Sequence, residues 1–264
     1  MDFNNIIYKE LLNVLLNHSY YFQTFNEFIP TLKKDKLNNQ QIIILRHDVD
    51  LLPENSLLFA KIQHELGIKG TYYFRAVPES WDEKIISEIS SLGHEIGYHY
   101  ESLTTCKGDI DKAYIDFCEN LEKLRNLAPV STICMHGSPE SPYDSKDIWK
   151  KYSYKDLGII GEPYFDTNFS KVFYITDTGR RWDGYKVSVR DKIPLHQDRW
   201  NSEGLTFHNT ADIINAINTN RFPEKVMFTF HPQRWHNNIF LWLRELILQR
   251  FKNIIKFFLI KIRY

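Results

Sequence analysis

One pattern constrains the fold of this chain most strongly: a run of β-branched and apolar residues that ends abruptly in charged ones. Residues 41–45 form the apolar run, and residues 46–50 follow it with the order Arg-His-Asp-Val-Asp. The run predicts a buried strand. Two carboxylates and an imidazole at the end of such a strand are costly unless a metal, hydrogen bonds or a substrate satisfy them. Because ligands bind at the carboxyl ends of parallel strands, the pattern indicates a functional site.

The alternation of strands and helices continues along the chain. Further strands are predicted at 70–75, 94–101, 131–135, 158–160, 171–176 and 226–230. Helices with an apolar stripe are predicted at 53–66, 81–92, 110–126 and 210–219. About seven such units predict a parallel sheet closed, or nearly closed, into a barrel; an open doubly wound sheet is the alternative. No strand is followed by a glycine-rich phosphate loop, which disfavours a nucleotide-binding fold.

The chain is predicted to form one α/β domain with additions at both ends. Residues 1–40 are expected to be an N-terminal helical extension that ends in a polar surface loop from about residue 33, and residues 41–238 the barrel. Residues 239–264 combine apolar residues at helical spacing with basic ones, and the charges leave no uninterrupted run long enough to span a bilayer. Two interpretations stay open: a helix packed on the body, or a basic amphipathic helix on a membrane surface.

Composition narrows the class of protein. The 264 residues are 43% hydrophobic and 25% charged, which is typical of a soluble globular enzyme. The formal net charge is zero, so no overall field attracts nucleic acid, and nucleic acid is not an expected partner. The three cysteines are too few for a disulfide framework. The first residues lack a basic segment followed by an apolar one, so we expect a cytoplasmic protein.

Most predicted strands end in residue types that bind metals or move protons. The strand-end candidates are His47, Asp48 and Asp50; Tyr73 and Arg75; His99 and Glu101; His136; Asp166; Asp177, Arg180 and Arg181; and His231. In a barrel these ends converge on one rim. Imidazole and carboxylate ligands suit a divalent metal such as zinc, which makes water a nucleophile near neutral pH. With a free carboxylate as base and a histidine as acid, the residues suggest metal-assisted hydrolysis.

A turn-rich segment, residues 176–182, is a weaker candidate. It combines Asp177, Arg180 and Trp182. One interpretation is a substrate loop, in which arginine binds an anionic group and the indole stacks on a sugar ring. The other is a surface loop with a salt bridge. Trp235 similarly follows the last predicted strand, although most aromatic residues are expected to be core.

In four segments the sequence resembles the polysaccharide deacetylase superfamily, carbohydrate esterase family 4, in a divergent branch that opens with Arg-His-Asp-Val-Asp. Residues 46–50 resemble the first family motif, Thr-Phe-Asp-Asp-Gly, and residues 70–74 the following strand, Ala-Thr-Phe-Phe. Residues 93–99 are close to Gly-His-Glu-Ile-Gly-Asn-His, the most specific match, and residues 230–232 resemble the last motif. The matches run in order, and the resemblance implies a distorted seven-stranded parallel (β/α) barrel.

The resemblance also implies roles, with two departures from the family pattern. Asp48 takes the position of the catalytic base and His231 that of the general acid. Val49 stands at the metal-ligand position of the first motif, so Asp50 would replace that ligand. Leu103 stands where the family has its second metal-binding histidine, four residues after His99. His136 or Glu101 would replace it.

The sequence therefore predicts a deacetylase-type hydrolase that removes an N-acyl group, preferably acetyl, from a sugar or glycan precursor. In this hypothesis Asp50, His99 and His136 bind a divalent metal, with zinc preferred, and Glu101 orients His99 or completes the metal shell. The candidates for substrate binding are Arg75, Asp177, Arg180, Trp182 and Trp235. Two alternatives are a metal-independent amidohydrolase and a catalytically inactive carbohydrate-binding protein. Membrane contact would come from the last helix, and the oligomeric state is left open.

Overall fold

A computed structural model describes residues 1–33, 40–138, 141–186, 188 and 191–263 of the chain. Parallel strands form one sheet in the order β5-β4-β3-β2-β7-β6, with β1 paired to β2. The strands are β1 (Tyr21–Gln23), β2 (Ile42–Val49), β3 (Thr71–Phe74), β4 (Glu95–Tyr100), β5 (Val130–Met135), β6 (Phe173–Thr176) and β7 (Lys225–Phe230).

Helices connect the strands and cover the sheet. The α-helices are α1 (Asn5–Asn17), α2 (Phe25–Lys33), α3 (Pro53–Glu65), α4 (Glu83–Ser91), α5 (Ser102–Thr105), α6 (Ile110–Arg125), α7 (Pro163–Asp166), α8 (Pro194–Ser202), α9 (Thr210–Asn218) and α10 (Ile239–Arg263). Short 3-10 helices lie at Ser145–Lys150, Tyr154–Leu157, Gly184–Lys186 and Pro232–Arg234. None of the helices in the described part of the chain has a stretch apolar and long enough to cross a membrane.

Strand β2 lies at the centre of the sheet and positions the residues that follow its apolar run. All eight of its residues are buried. One edge of β2 pairs with β7, while β1 and β3 pair with its first and second halves. Since side chains alternate along a strand, Arg46 and Asp48 share one face and His47 lies on the other. The centre of the sheet thus presents a cation and a carboxylate side by side.

The predicted α/β fold class with seven parallel strands is confirmed, although the seventh strand differs from the predicted one. The strand predicted at 158–160 is reduced to an isolated bridge between Gly161 and Thr132. In its place β1 pairs with β2. Strand β1 was not predicted, because it lies in the segment that was expected to be a helical extension. With three residues, β1 is too short to show a strand period in the sequence.

The chain ends follow the predicted helical patterns in part. The apolar stripe of the first residues forms α1, which buries Tyr8, Leu11, Leu12 and Leu15. Most of the predicted surface loop, residues 34–39, lies outside the described residues, as does Tyr264 at the end of the predicted last helix. The division at residues 40 and 239 stays a prediction.

Candidate metal centre and active site

A buried ion pair on β2 forms one wall of the site. Arg46 and Asp48 are 1% and 2% exposed. The Nε of Arg46 donates to Oδ1 of Asp48 at 2.8 Å, and its Nη2 donates to Oδ2 at 2.6 Å. This two-point contact fixes the plane of the carboxylate and balances its charge where both side chains are buried. Arg46 was not among the predicted site residues, although its spacing of two residues from Asp48 places both on one strand face.

The three predicted metal ligands lie together beyond this ion pair. Asp50 directly follows β2, His99 belongs to β4, and His136 follows β5. The Oδ1 of Asp50 is 3.6 Å from Nε2 of His99 and 3.5 Å from Nε2 of His136. One ligand atom from each residue fits within a sphere of metal-binding size, with all separations within 4.8 Å. The structure therefore brings side chains from three different strand ends to one point.

The hydrogen bonds of the two imidazoles leave their inner nitrogens free to bind a cation. Nδ1 of His99 lies 2.9 Å from the carbonyl oxygen of Cys134, which only accepts, so this nitrogen carries the hydrogen. Nδ1 of His136 lies 2.8 Å from a carboxylate oxygen of Glu101. Burial alone would raise the pKa of Glu101, but its hydrogen bond with His136 and the charge of Arg75 lower it to about 2. Glu101 is thus an acceptor, and both Nε2 atoms present lone pairs.

A carboxylate oxygen faces these two lone pairs without a partner of its own. The Oδ1 of Asp50 is buried and accepts no hydrogen bond within the described part of the chain. Three electron-rich atoms around one point repel each other unless a cation lies between them. Tetrahedral zinc with ligand distances of about 2.0–2.2 Å would set neighbouring ligand atoms about 3.4 Å apart. The observed separations of 3.5 and 3.6 Å fit a divalent metal held by two histidines and one aspartate.

A second group of metal-type side chains is less suited to a cation. Asp48, His99 and Cys134 also lie within 4.8 Å of one another. Burial raises the pKa of the Cys134 thiol well above its ordinary value, which opposes the thiolate that a metal needs. Both oxygens of Asp48 already accept from Arg46. The group around Asp50 is therefore the better metal site.

The imidazole of His231, after β7, is held by a buried carboxylate. Its Nδ1 lies 2.5 Å from Oδ1 of Asp177, and its backbone N–H donates to Oδ2 at 2.9 Å. The indole Nε1 of Trp235 donates to the same Oδ2 at 2.7 Å. Asp177 and Trp235, predicted to bind substrate, are 0% and 1% exposed. Their placement favours orientation of His231 over direct contact with a substrate.

The other ring nitrogen of His231 points toward Asp50, His99 and His136, which are called the metal group below. Its Nε2 is 4.0 Å from Oδ2 of Asp50 and 3.4 Å from Oδ2 of Asp191. Burial and the charge of Arg234 lower the pKa of His231, but Asp177 and Asp191 outweigh them, so the pKa is raised above its ordinary value. The ring is therefore suited to carry a proton at Nε2.

Asp191 is a site residue that the sequence did not reveal. The hydroxyl of Tyr164 donates to its Oδ1 at 2.8 Å and that of Tyr174 at 2.9 Å, and Thr178 donates to Oδ2. Nη2 of Arg46 is 3.9 Å from Oδ1. Asp191 does not end a strand but lies in an irregular segment before α8. No local pattern distinguished it from a surface aspartate.

Arg75 and Glu101 form a support for the metal group. Arg75 donates to Oε1 of Glu101 from Nε and Nη2, at 3.0 and 2.7 Å, and from Nη1 to the backbone oxygen of Asp50 at 3.1 Å. Glu101 contacts His136, whereas the sequence analysis expected it to orient His99 or to complete the metal shell. The reason is local: at Glu101 the backbone leaves the extended conformation, with φ −137° and ψ 21°. The two-residue alternation that relates positions 99 and 101 therefore ends there.

Two other predicted substrate residues lie in contacts unrelated to the metal group. Trp182 is 4% exposed and packs edge-on against Phe228 and Phe230. A buried indole offers no free face to a sugar ring. The guanidinium of Arg180 lies 4.3 Å from the ring centre of Trp242 and donates to its backbone oxygen. The structure therefore favours a packing role for Trp182 and a contact with α10 for Arg180.

His47, predicted at the same rim, lies on the opposite face of β2. Its Nδ1 contacts the backbone oxygen of Thr71 at 3.0 Å, Gln63 contacts its Nε2 at 2.8 Å, and its ring stacks on Tyr72 at 4.1 Å. This placement follows from the alternation of side chains, because His47 lies between Arg46 and Asp48. His47 is thus part of the core.

The burial of His47 leads to a testable expectation about pH. Burial lowers the pKa of His47 to about 3 and that of His94 to about 4. The unfolded chain takes up protons at both rings below about pH 6.5. Both rings therefore contribute stability above that pH, and about 2 kcal/mol for each is lost on reaching pH 5. Burial raises the pKa of Glu162 to about 7, which contributes in the opposite sense, so net stability alone is not diagnostic.

The measurement is therefore made on the rings. In ¹⁵N NMR, the ring nitrogens of His47 and His94 are expected to stay in their neutral form from pH 7 to pH 5 in the folded protein. In urea the same nitrogens should titrate near pH 6.5. Protonation of either ring above pH 5.5 in the folded protein would show that it is not buried as described.

Comparison with known proteins gives weak similarities. No protein-family model and no curated protein matches the chain. Among solved structures, the deacetylase PplD of Streptococcus pyogenes in complex with acetate is 16% identical, with a TM-score of 0.42 over 50% of this chain and 62% of that one. The match thus spans less than two thirds of that protein. PdaA of Bacillus subtilis, a family 4 carbohydrate esterase, is 11% identical, with a TM-score of 0.39 over 92% and 84% of the two chains. A CE4 esterase from Streptococcus mutans is 12% identical, with a TM-score of 0.45 over 87% and 86%.

Proposed function

We propose that this protein is a metal-dependent hydrolase that removes an N-acyl group, preferably acetyl, from a sugar or glycan precursor. The proposal rests on the close approach of Asp50, His99 and His136, in which Oδ1 of Asp50 has no hydrogen-bond partner among the described residues. Asp48 and His231 flank this point from β2 and β7. The order of motifs in the sequence, which resembles that of the polysaccharide deacetylases, supports the same chemistry.

In the proposed reaction Asp48 is the base. Its Oδ2 is 3.6 Å from Nε2 of His99 and therefore borders the space beside the metal ligands. Arg46 donates to both oxygens of the carboxylate and fixes its plane, so Oδ2 stays beside the space that an attacking water would take. A divalent metal at Asp50, His99 and His136 would polarise the acyl carbonyl and lower the pKa of water. As the oxygen of the water bonds to the acyl carbon, Asp48 accepts a proton from that water.

His231 is the acid of the proposed reaction. The bond between the acyl carbon and the nitrogen breaks, and the leaving amine takes a proton from Nε2 of His231. Asp177 on the opposite ring nitrogen and Asp191 beside Nε2 both favour the protonated ring. Asp177 acts through His231 and is therefore a positioning residue. The products are an amine and a carboxylic acid, so the atoms balance with one water consumed.

Acetate release tests the proposal directly. The purified protein is incubated with N-acetylglucosamine oligomers and with a nucleotide-linked N-acetyl sugar, before and after chelation and with zinc added back. We expect acetate release that chelation removes and zinc restores. Release that persists in metal-free protein would favour a metal-independent amidohydrolase. Sugar binding without acetate in zinc-loaded protein would indicate a carbohydrate-binding protein.

A further inference from the structure

The last helix, α10, leaves a row of large apolar side chains exposed. Phe240 is 77% exposed, Ile247 55% and Phe251 65%. Their spacing of seven and four residues places them on one side of the helix. Leu243, Ile254 and Ile255 are also more than 40% exposed. A contiguous apolar surface of this kind on a folded protein marks an interaction site.

Contacts with the body hold this apolar row outward. Nε1 of Trp242 donates to the backbone oxygen of Asp2 at 2.6 Å, and Arg180 donates to the backbone oxygen of Trp242 at 2.9 Å. Further along, Nδ2 of Asn253 donates to the backbone oxygen of Gly179 at 2.9 Å. These bonds attach one side of α10 to the body over three turns. The apolar row cannot turn inward unless they break.

The charges of α10 favour an anionic partner. Between residues 239 and 255 the helix carries Arg244, Arg250 and Lys252 but a single acidic residue, Glu245. The sequence adds Lys256, Lys261 and Arg263. An exposed apolar side flanked by basic residues is the arrangement of helices that lie in an anionic lipid interface. A second copy docked through the same face would bring like charges together.

A basic cavity lies beside the attached side of α10. Its volume is about 260 Å³, and its lining includes Arg180, Arg181, Asp183, His208 and Arg250. Asp183 contacts Arg181 and His208, so Arg180 and Arg250 supply the positive charge that is left for an anion. Arg180 is 7% exposed, and its Nε and Nη2 have no hydrogen-bond partner in the described part of the chain. Burial lowers the pKa of Arg180 to about 10. Phosphate oxygens are suited to the donors that this cation leaves unused.

We propose that α10 docks this protein on an anionic phospholipid surface and that the cavity beside Arg180 takes a headgroup phosphate. The apolar row enters the boundary between headgroups and acyl chains, while Arg250 and Lys252 lie among the headgroups. The docking is independent of the proposed hydrolysis, since none of its residues belongs to the metal group or its supports.

Vesicle co-sedimentation of the full chain tests the docking. We expect binding to vesicles of phosphatidylcholine mixed with phosphatidylglycerol, little binding to phosphatidylcholine alone, and weaker binding at high salt. Phe251→Asp and Arg250→Glu should each lower the affinity for mixed vesicles about tenfold. Leu195→Asp on α8, a residue 86% exposed, and Lys84→Glu on α4 are the matched controls and should bind like the original chain.

Three outcomes would overturn the proposal. Equal binding by the Phe251→Asp and Leu195→Asp variants would exclude the apolar row as the docking surface. A dimer in sedimentation velocity that Phe251→Asp dissociates, without vesicle binding, would identify a second copy as the partner. Thermal stabilisation by inorganic phosphate without vesicle binding would indicate a site for free anions. Acetate release from soluble sugars by the Phe251→Asp variant, measured in parallel, separates failure of docking from failure of the proposed hydrolysis.

Discussion

Replacing Asp48 with asparagine is expected to lower kcat/KM for amide hydrolysis about 10³-fold, because an amide does not accept a proton from water. The substitution preserves size, but it weakens the buried contact with Arg46. A buried cation that loses its partner costs about 3 kcal/mol of stability. Acetate release at saturating zinc gives the kinetic effect, and urea unfolding gives the stability.

Two comparisons separate chemistry from folding in the Asp48→Asn variant. Asp166→Asn is the matched control, since among the described residues Asp166 accepts from Tyr154 and the backbone N–H of Glu162 and not from the proposed metal ligands. It should retain activity. Zinc content of Asp48→Asn should stay close to that of the original chain, because Asp48 is not one of the three proposed ligands. Unchanged turnover in a folded Asp48→Asn protein would remove Asp48 from the role of base.

Replacing His99 or His136 with alanine is expected to remove both bound zinc and activity. Each substitution leaves two protein ligands, one fewer than catalytic zinc sites use. We expect affinity for zinc to fall more than about 100-fold, measured by metal analysis after dialysis against a competing chelator. Glu101→Gln should have a smaller effect, about 10–100-fold, because Glu101 acts through its hydrogen bond to His136.

His231→Ala is the control for the metal prediction. It should lose most activity while its zinc content stays unchanged, since Nε2 of His231 is 4.0 Å from Asp50 and His231 is not among the proposed ligands. Full zinc occupancy in both His99→Ala and His136→Ala would show that the three residues meet for a reason other than metal binding. A buried hydrogen-bonded cluster would then be the better description.

The sequence pointed to those residues of the candidate site that follow an apolar run. Each of four such residues lies at or just beyond an apolar run: Asp50, His99, His136 and His231. Because parallel strands end at one edge of the sheet, they were predicted to lie close together. Asp191 has no run before it and reaches the site only through the path of the chain after β6. Its position depends on the hydroxyls of Tyr164 and Tyr174, which approach from other segments. A local sequence pattern does not show these contacts between distant segments.

The direction of a side chain was harder to predict than its position. Trp182 and Trp235 have the chemistry of sugar-stacking residues, but both are buried in an aromatic cluster with Phe230. Their burial depends on packing between β7 and the N-terminal residues, which a local pattern does not show. Glu101 differed for a simpler reason, since the end of β4 comes one residue before it.

The ion pair of Arg46 and Asp48 has a consequence for how this site tolerates change. Here a single strand supplies both, two residues apart, at the centre of the sheet. Insertions in the surrounding loops can therefore change substrate preference while Asp48, the proposed proton acceptor, stays aligned. The proposed base and the arginine that orients it would also move together if β2 were transplanted into a related scaffold.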